Sequence, residues 1–305
     1  MKKIFLLIIP LILTSCSVQQ GVLEEKESAD MKSTISNPDV KDNNVSINSI
    51  VASLINKDGK TIEERFLVPE GFKRTKNDAA SFGQYLRTLP LKPDGSRVYY
   101  FNGEEKTREV YDAVIDMDIG KRDLQQCADA VMRLRAEYLY KNKQYYRIHF
   151  NLTNGFNAEY VKWRSGKRIK FDKNNRTFWV NKEDNSDNYK SFREYLDFVF
   201  AYAGTLSLSK ELKTVSVEDM RIGDVLIQGG SPGHCVIVVD MAENEATGEK
   251  VYIFAQSYMP AQDIQVLKNN ERPEISPWYY LKGSEEIFTP EWTFKTSDIK
   301  RFEDK

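Results

Sequence analysis

Hydrophobic positions change period several times along this chain, and each change predicts an element. Residues 4–13 form an unbroken apolar run apart from Pro10, while residues 17–60 hold few large apolar side chains. From there the pattern becomes that of a folded domain. Residues 65–68 (RFLV) read as a strand, followed by a turn at Pro69-Glu70-Gly71. Residues 81–89 predict a short helix stopped by Pro90 and Pro93. Residues 97–101 and 110–117 predict strands, or a strand and a short helix. Residues 123–141 predict a strong helix, and residues 145–150 alternate as a strand. Phe192, Tyr195, Leu196, Phe198, Val199 and Tyr202 recur at helical spacing over residues 189–203. The remainder is strand-rich, at 224–228, 234–241, 251–257, 263–267 and 278–281. Helices first and an antiparallel sheet afterwards predict an α+β domain rather than alternating βαβ units.

The N-terminal run is far short of the roughly 20 residues that span a bilayer. Lys2 and Lys3 precede it, and Leu13-Thr14-Ser15-Cys16 closes it. These four residues resemble the lipobox of bacterial lipoproteins. The resemblance implies a signal peptide at 1–15, with Cys16 lipidated as the first mature residue and tied to a membrane of the cell envelope. Ser17 follows the cysteine where Asp is absent, which resembles the pattern allowing passage to an outer membrane. Residues 16–60 then read as a lipidated, flexible tether, with a short docking helix at 47–55. Residues 61–305 read as a single domain.

Composition narrows the partners. Lys and Arg number 44 against 45 Asp and Glu, so no basic field exists to attract nucleic acid. With 2 histidines in the chain a metal site is not expected, and nothing points to a cofactor. The 16 Tyr, 16 Phe and 4 Trp supply a core and surfaces on which sugars or peptides could stack.

Two segments carry candidate chemistry. Asp123 is placed to cap the helix, and Gln126 to complete a capping box. Cys127 then lies in the first turn on the inward stripe with Val131, Leu134 and Tyr138. The positive end of the helix dipole there favours thiolate, the form a nucleophile needs. The second segment is a strand and Gly-rich loop ending in Gly233-His234, with His234 opening the next strand as a candidate general base. If Asp240 lies opposite Val251, His234 faces Ser257, and a slip of one residue makes the partner Gln256. Either side chain could orient the imidazole.

Gln126-Cys127 opening a helix, Gly223-Asp224-Val225, Gly233-His234 before a valine-rich strand, and Gln256-Ser257-Tyr258 together resemble the cysteine, histidine-dependent amidohydrolase/peptidase family. That resemblance implies a papain-like α+β fold with helices packed on a mainly antiparallel sheet. It implies Cys127 as nucleophile, His234 as base and Gln256 or Ser257 as orienting residue, cutting an amide of peptidoglycan or a related peptide. The backbone N–H of Cys127, with Gln126, would hold the oxyanion. Gln125-Gln126-Cys127-Ala128-Asp129-Ala130, Ser231-Pro232-Gly233-His234 and residues 255–262 also resemble an uncharacterised family of Gram-negative lipoproteins.

Two other readings stay open. Cys127 and Cys235 make an even pair and could form a disulfide, giving a structural lipoprotein. A binding lipoprotein could keep the groove for a glycan or peptide without turnover. Alternation places Cys235 on the face opposite His234, as a core residue. His149 reads as a solvated or hydrogen-bonding strand residue, and Pro277-Trp278-Tyr279-Tyr280 and Pro290-Glu291-Trp292 as borders of a groove or, since tryptophans are more often buried, as core.

Overall fold

The computed structural model describes residues 53–182, 187–281, 283 and 285–303. The expected signal peptide, Cys16 and nearly all of the tether and docking helix lie outside the described residues. Residues 50–305 group as one unit. Its first half runs α1 (Ile62–Arg65), β1 (Lys73–Arg74), α2 (Phe82–Arg87), β2 (Tyr111–Val114) and α3 (Cys127–Lys141). Two small hairpins follow, β3 (His149–Asn151) with β4 (Asn157–Glu159) and, beyond α4 (Tyr160–Arg164), β5 (Lys167–Phe171) with β6 (Thr177–Asn181). Then come α5 (Tyr189–Tyr202), α6 (Thr205–Glu211), β7 (Lys213–Thr214), β8 (Val225–Gln228), β9 (His234–Glu243) and β10 (Lys250–Gln256). The chain closes with β11 (Gln265–Leu267), β12 (Trp278–Tyr280), β13 (Glu286–Phe288), β14 (Thr293–Lys295) and β15 (Ile299–Arg301).

A nine-stranded sheet organises the domain in the order β2-β11-β10-β9-β8-β15-β7, with β1 also on β9 and β12 also on β10. Its pairings are antiparallel. The α+β expectation therefore holds. β9 is central because its sequence is apolar on both faces, and every residue from His234 to Ala242 is buried. Beyond His234 at its start, Asp240 is the polar residue in that run. It has no exposed surface, and two guanidinium groups neutralise it, Arg74 at 2.7 Å and Arg87 at 2.6 Å. Helix α3 packs on β9 and buries Val131, Leu134 and Tyr138, the inward stripe expected of it.

Several local expectations are corrected. The strand expected at 65–68 does not form: Arg65 ends helix α1, whose first turn the Thr61 hydroxyl caps by accepting from the Glu64 N–H, and Phe66 makes only an isolated bridge. The folded chain begins before residue 61, since Ile55 bridges Phe66 and the Leu67 N–H donates to the Leu54 carbonyl at 2.7 Å. Residues 97–101 make only isolated bridges, and a 3₁₀ turn at Tyr145–Arg147 precedes β3. Helix α3 starts at Cys127, with Gln126 at its N-cap position in place of Asp123. Asp123 is drawn away by the Ala261 N–H, which it accepts at 2.7 Å, and Asp129 takes the Gln126 N–H at 3.0 Å.

Candidate active site

The site forms where the N-terminus of α3 meets the start of β9. Cys127 is the first residue of its helix, so its own backbone N–H has no intrahelical acceptor and its sulfur lies at the positive end of the dipole. Three groups act on that sulfur. The Cys235 thiol is the strongest influence and favours thiolate. Burial opposes it, and the His234 imidazole and the Ala128 N–H reinforce it, leaving the Cys127 thiol pulled down to about 4. The Cys235 thiol moves the other way, pushed well up by burial and by its charged neighbour. Both cysteines are free and buried, so the disulfide left open by the sequence is not formed between them, and the Cys235 side chain instead lies against the Cys127 sulfur. The expectation that Cys235 is only a core residue is therefore corrected: it is fully buried and also touches the candidate nucleophile.

His234 is held by what surrounds it. The rings of Tyr258, Trp292 and Phe294 lie 4.7, 5.5 and 5.9 Å from its centroid, and it retains 1% exposure. Its Nε2 lies 2.8 Å from the Gln256 Oε1. The backbone entering β9 is equally constrained, because a Cβ on Gly233 would stand 2.5 Å from the Thr205 Oγ1 and 2.7 Å from the Gly230 carbonyl. Glycine is required there by close approach rather than by its dihedral angles.

The strand register that brings Gln256 to His234 differs from the expected one. Asp240 pairs with Ile253, not Val251, and a register shift after Ile253 sets Phe254 opposite Val238 and Ala255 opposite Ile237. This continues to Gln256 beside Val236, so His234 is the diagonal neighbour on the same face. A diagonal gap of about 7–8 Å is within reach of a long side chain. Ser257 does not face the imidazole. Its hydroxyl lies 3.0 Å from the Gln125 carbonyl and 2.8 Å from that of Gln262, fastening the turn before α3 to the end of β10. Gln126 and Asp123 join the same support, the Gln126 Nε2 donating to the Asp123 Oδ1 at 3.0 Å.

Behind Gln256 stands a buried network that sequence patterning did not place. The Gln256 Nε2 donates to the Glu291 Oε2 at 2.7 Å, and the Lys106 Nζ reaches the same oxygen at 2.7 Å. Lys106 also donates to the Gln262 Oε1 at 2.9 Å. Burial lowers the Lys106 ammonium below the usual lysine range, and Glu291 counters the fall. Trp292, next to Glu291, donates its Nε1 to the Gln228 Oε1 at 3.0 Å, which ties the 288–293 connection to β8.

Cys127 and His234 open onto a groove of about 840 Å³. Leu124, Phe200, Ala203 and Leu206 give it apolar surface, with Tyr258 and Met259 among its lining and Met259 63% exposed. Two other cavities, one bordered by Glu249 and Tyr252 and one by Arg87 and Arg221, contain neither Cys127 nor His234. His149 lies beside Glu211 in a separate cavity. Among the described residues, no group of three or more His, Cys, Asp or Glu side chains is placed to hold a metal. No helix among them is long and apolar enough to cross a membrane.

Fold and site together define an α+β domain whose groove exposes one edge of a buried cysteine–histidine–glutamine cluster. The chain belongs to the family described as domain of unknown function 4846, whose model matches residues 62–301. The match spans every element from α1 to β15 and every residue of the cluster. No curated protein and no solved structure matches the chain.

Proposed function

We propose that this protein is a lipid-anchored cell-envelope cysteine hydrolase with a papain-like domain, cutting an amide bond in peptidoglycan or a related peptide. The observation that carries the reading is the meeting of Cys127 and His234 at the wall of an open groove, with Gln256 on the imidazole behind them and the Cys127 thiol drawn down to about 4. The start of α3 and the paired strands β9 and β10 converge there, in the roles that acyl transfer requires.

In that reaction the Cys127 thiolate adds to the amide carbonyl carbon. The backbone N–H of Cys127, free at the helix start, stabilises the oxyanion. Gln256 holds the imidazole through Nε2, leaving Nδ1 to face the sulfur. Protonated His234 gives that proton to the leaving nitrogen as the C–N bond breaks, and a thioester remains. His234 then takes a proton from water, whose oxygen attacks the thioester. The acid product leaves, and thiolate and imidazolium are restored. Phe200, Leu206, Tyr258 and Met259 supply apolar surface on which a peptide or sugar could lie.

The envelope assignment rests on the basic, apolar and Leu13-Thr14-Ser15-Cys16 sequence alone. Incubating the chain with purified sacculi and stem peptides, and reading new amino termini by mass spectrometry, tests the activity. Turnover should vanish in Cys127→Ala while binding persists. Undiminished turnover in that variant would overturn the reading. Cys16→Ser should leave the membrane fraction, and unchanged fractionation would remove the anchor.

A further inference from the structure

A glutamine is an ambiguous partner for a histidine. Its amide can present oxygen to the ring, accepting from Nε2–H, or nitrogen, donating to a bare Nε2. The first arrangement leaves Nδ1 able to exchange a proton with Cys127. The second places the neutral ring's proton on Nδ1 and removes the base. Something beyond Gln256 must decide between them, and that group is present. A carboxylate only accepts, and the Glu291 Oε2 lies 2.7 Å from the Gln256 Nε2. The amide nitrogen is thereby committed to Glu291, and its oxygen to His234 at 2.8 Å. Lys106, at 2.7 Å from the same carboxylate oxygen, is its ion-pair partner in a place where the Glu291 side chain is 7% exposed and that of Lys106 3%.

We propose that Glu291, charge-balanced by Lys106, is a positioning residue that fixes the amide orientation of Gln256 and through it the tautomer of His234. The inference deepens the hydrolase reading and rests on it for its catalytic consequence; the tautomer itself can be read without any substrate. The Lys106–Glu291 pair contributes no atom to the groove. Its role is to choose which ring nitrogen faces the sulfur.

The chain has 2 histidines, so ¹⁵N-histidine spectra of the full chain contain just two imidazole systems. On a Cys127→Ala background, which removes the thiolate, spectra are followed up the pH scale until the ring of His234 is neutral. The expected parent form is Nε2–H alone. Glu291→Gln keeps it, because Lys106, which can only donate, holds the new amide oxygen at the place of the Glu291 Oε2, where it still accepts from Gln256. Glu291→Leu combined with Lys106→Met removes both buried charges, so neither is left unpaired, and yields a mixture of both tautomers. An Nδ1–H parent overturns the proposal from the parent spectrum alone, however the double variant folds. A folded double variant that keeps pure Nε2–H also overturns it. In chains retaining Cys127, the pH midpoint for alkylating that residue should rise by about one unit in the double variant and stay put in Glu291→Gln, one unit being a tenfold change in proton affinity. An ordinary midpoint in the unaltered chain would sink the hydrolase reading and leave the tautomer result standing.

Discussion

The lowered Cys127 thiol predicts a particular shape of reactivity against pH. An ordinary cysteine, with pKa ~8.5, is ionised to ~0.03% at pH 5 and ~24% at pH 8, so its alkylation rate climbs about 800-fold between them. Cys127, pulled down to about 4 by Cys235, His234 and the Ala128 N–H, is already mostly thiolate at pH 5. Its rate over the same range should change by less than about twofold. Absolute speed at pH 7 is a poor witness. A thiolate whose pKa lies some four to five units lower is weaker as a nucleophile by on the order of a hundredfold. That loss exceeds the roughly 30-fold gain in ionised fraction at pH 7. The ratio of rates at pH 8 and pH 5 is free of this, and of the steric shielding of a side chain left 8% exposed.

The assay is alkylation at fixed reagent concentration, quenched over time and resolved by peptide mass so that Cys16, Cys127 and Cys235 are counted separately. Cys235, pushed well up by burial, should stay silent through pH 8. Removing its thiol takes away the largest influence lowering Cys127, so Cys235→Ala should move the Cys127 midpoint upward. His234→Ala should move it in the same direction. A Cys127 rate that rises several hundredfold from pH 5 to pH 8 in the unaltered chain would refute the argument, and with it the activated nucleophile.

Three further outcomes follow from buried groups. Arg87→Leu leaves Asp240, wholly buried, with Arg74 as its remaining cation; breaking such a pair should cost about 3 kcal/mol, read as a lower urea midpoint, and a loss below about 1 kcal/mol would contradict the clamp. Gly233→Ala drives a Cβ to 2.5 Å from the Thr205 Oγ1 and 2.8 Å from the Gln228 carbonyl, so it should cost about 1–3 kcal/mol and disturb the flat Cys127 profile, whereas neutrality in both would show that the loop yields freely. Asp129 is held well above the usual carboxylate range, chiefly by burial. Its neutral form therefore supports the fold fully below the unfolded value, and that support is lost as pH rises toward the folded one. Asp129→Asn should raise the melting temperature at pH 8 by several degrees and leave it little changed at pH 4; an equal effect at both pH values would refute the assigned shift.

Local patterns in the sequence carried the elements that position the site, and little of what completes it. The valine-rich run after His234, the helical spacing of residues 189–203 and the short helix stopped by Pro90 are each written in neighbouring residues, and each corresponds to an element of the fold. Cys127 at a helix start and His234 at a strand start were legible for the same reason. Helix α3 began three residues later than its polar residues implied, because Asp123 answers to Ala261 from across the fold. The register of β9 and β10 was missed because the shift after Ile253 leaves no mark in the alternation. Cys235 was placed in the core by its alternation, which is blind to a helix terminus placed over a strand.

Glu291 illustrates the deeper limit. Flanked by Pro290 and Trp292, it reads as part of a groove border with no partner named, and Lys106 stands as one charge among Glu104, Glu105 and Arg108. Only the sheet brings them together behind Gln256, with β2 and β11 at one edge and β13–β14 near β8. Yet the chemistry at His234 contains a reason to look for such a group. A carboxylate beside a histidine only accepts, so it fixes the ring's tautomer unaided. An amide has a donor end and an acceptor end, and orients the ring only when its own orientation is fixed by a neighbour. Once Gln256 stands in the orienting position, an acceptor behind its nitrogen becomes a chemical requirement. A buried carboxylate meets that requirement, and burying it calls for a cation. The chain Lys106–Glu291–Gln256–His234 is the order in which those requirements arise, read from the outside of the site toward the sulfur.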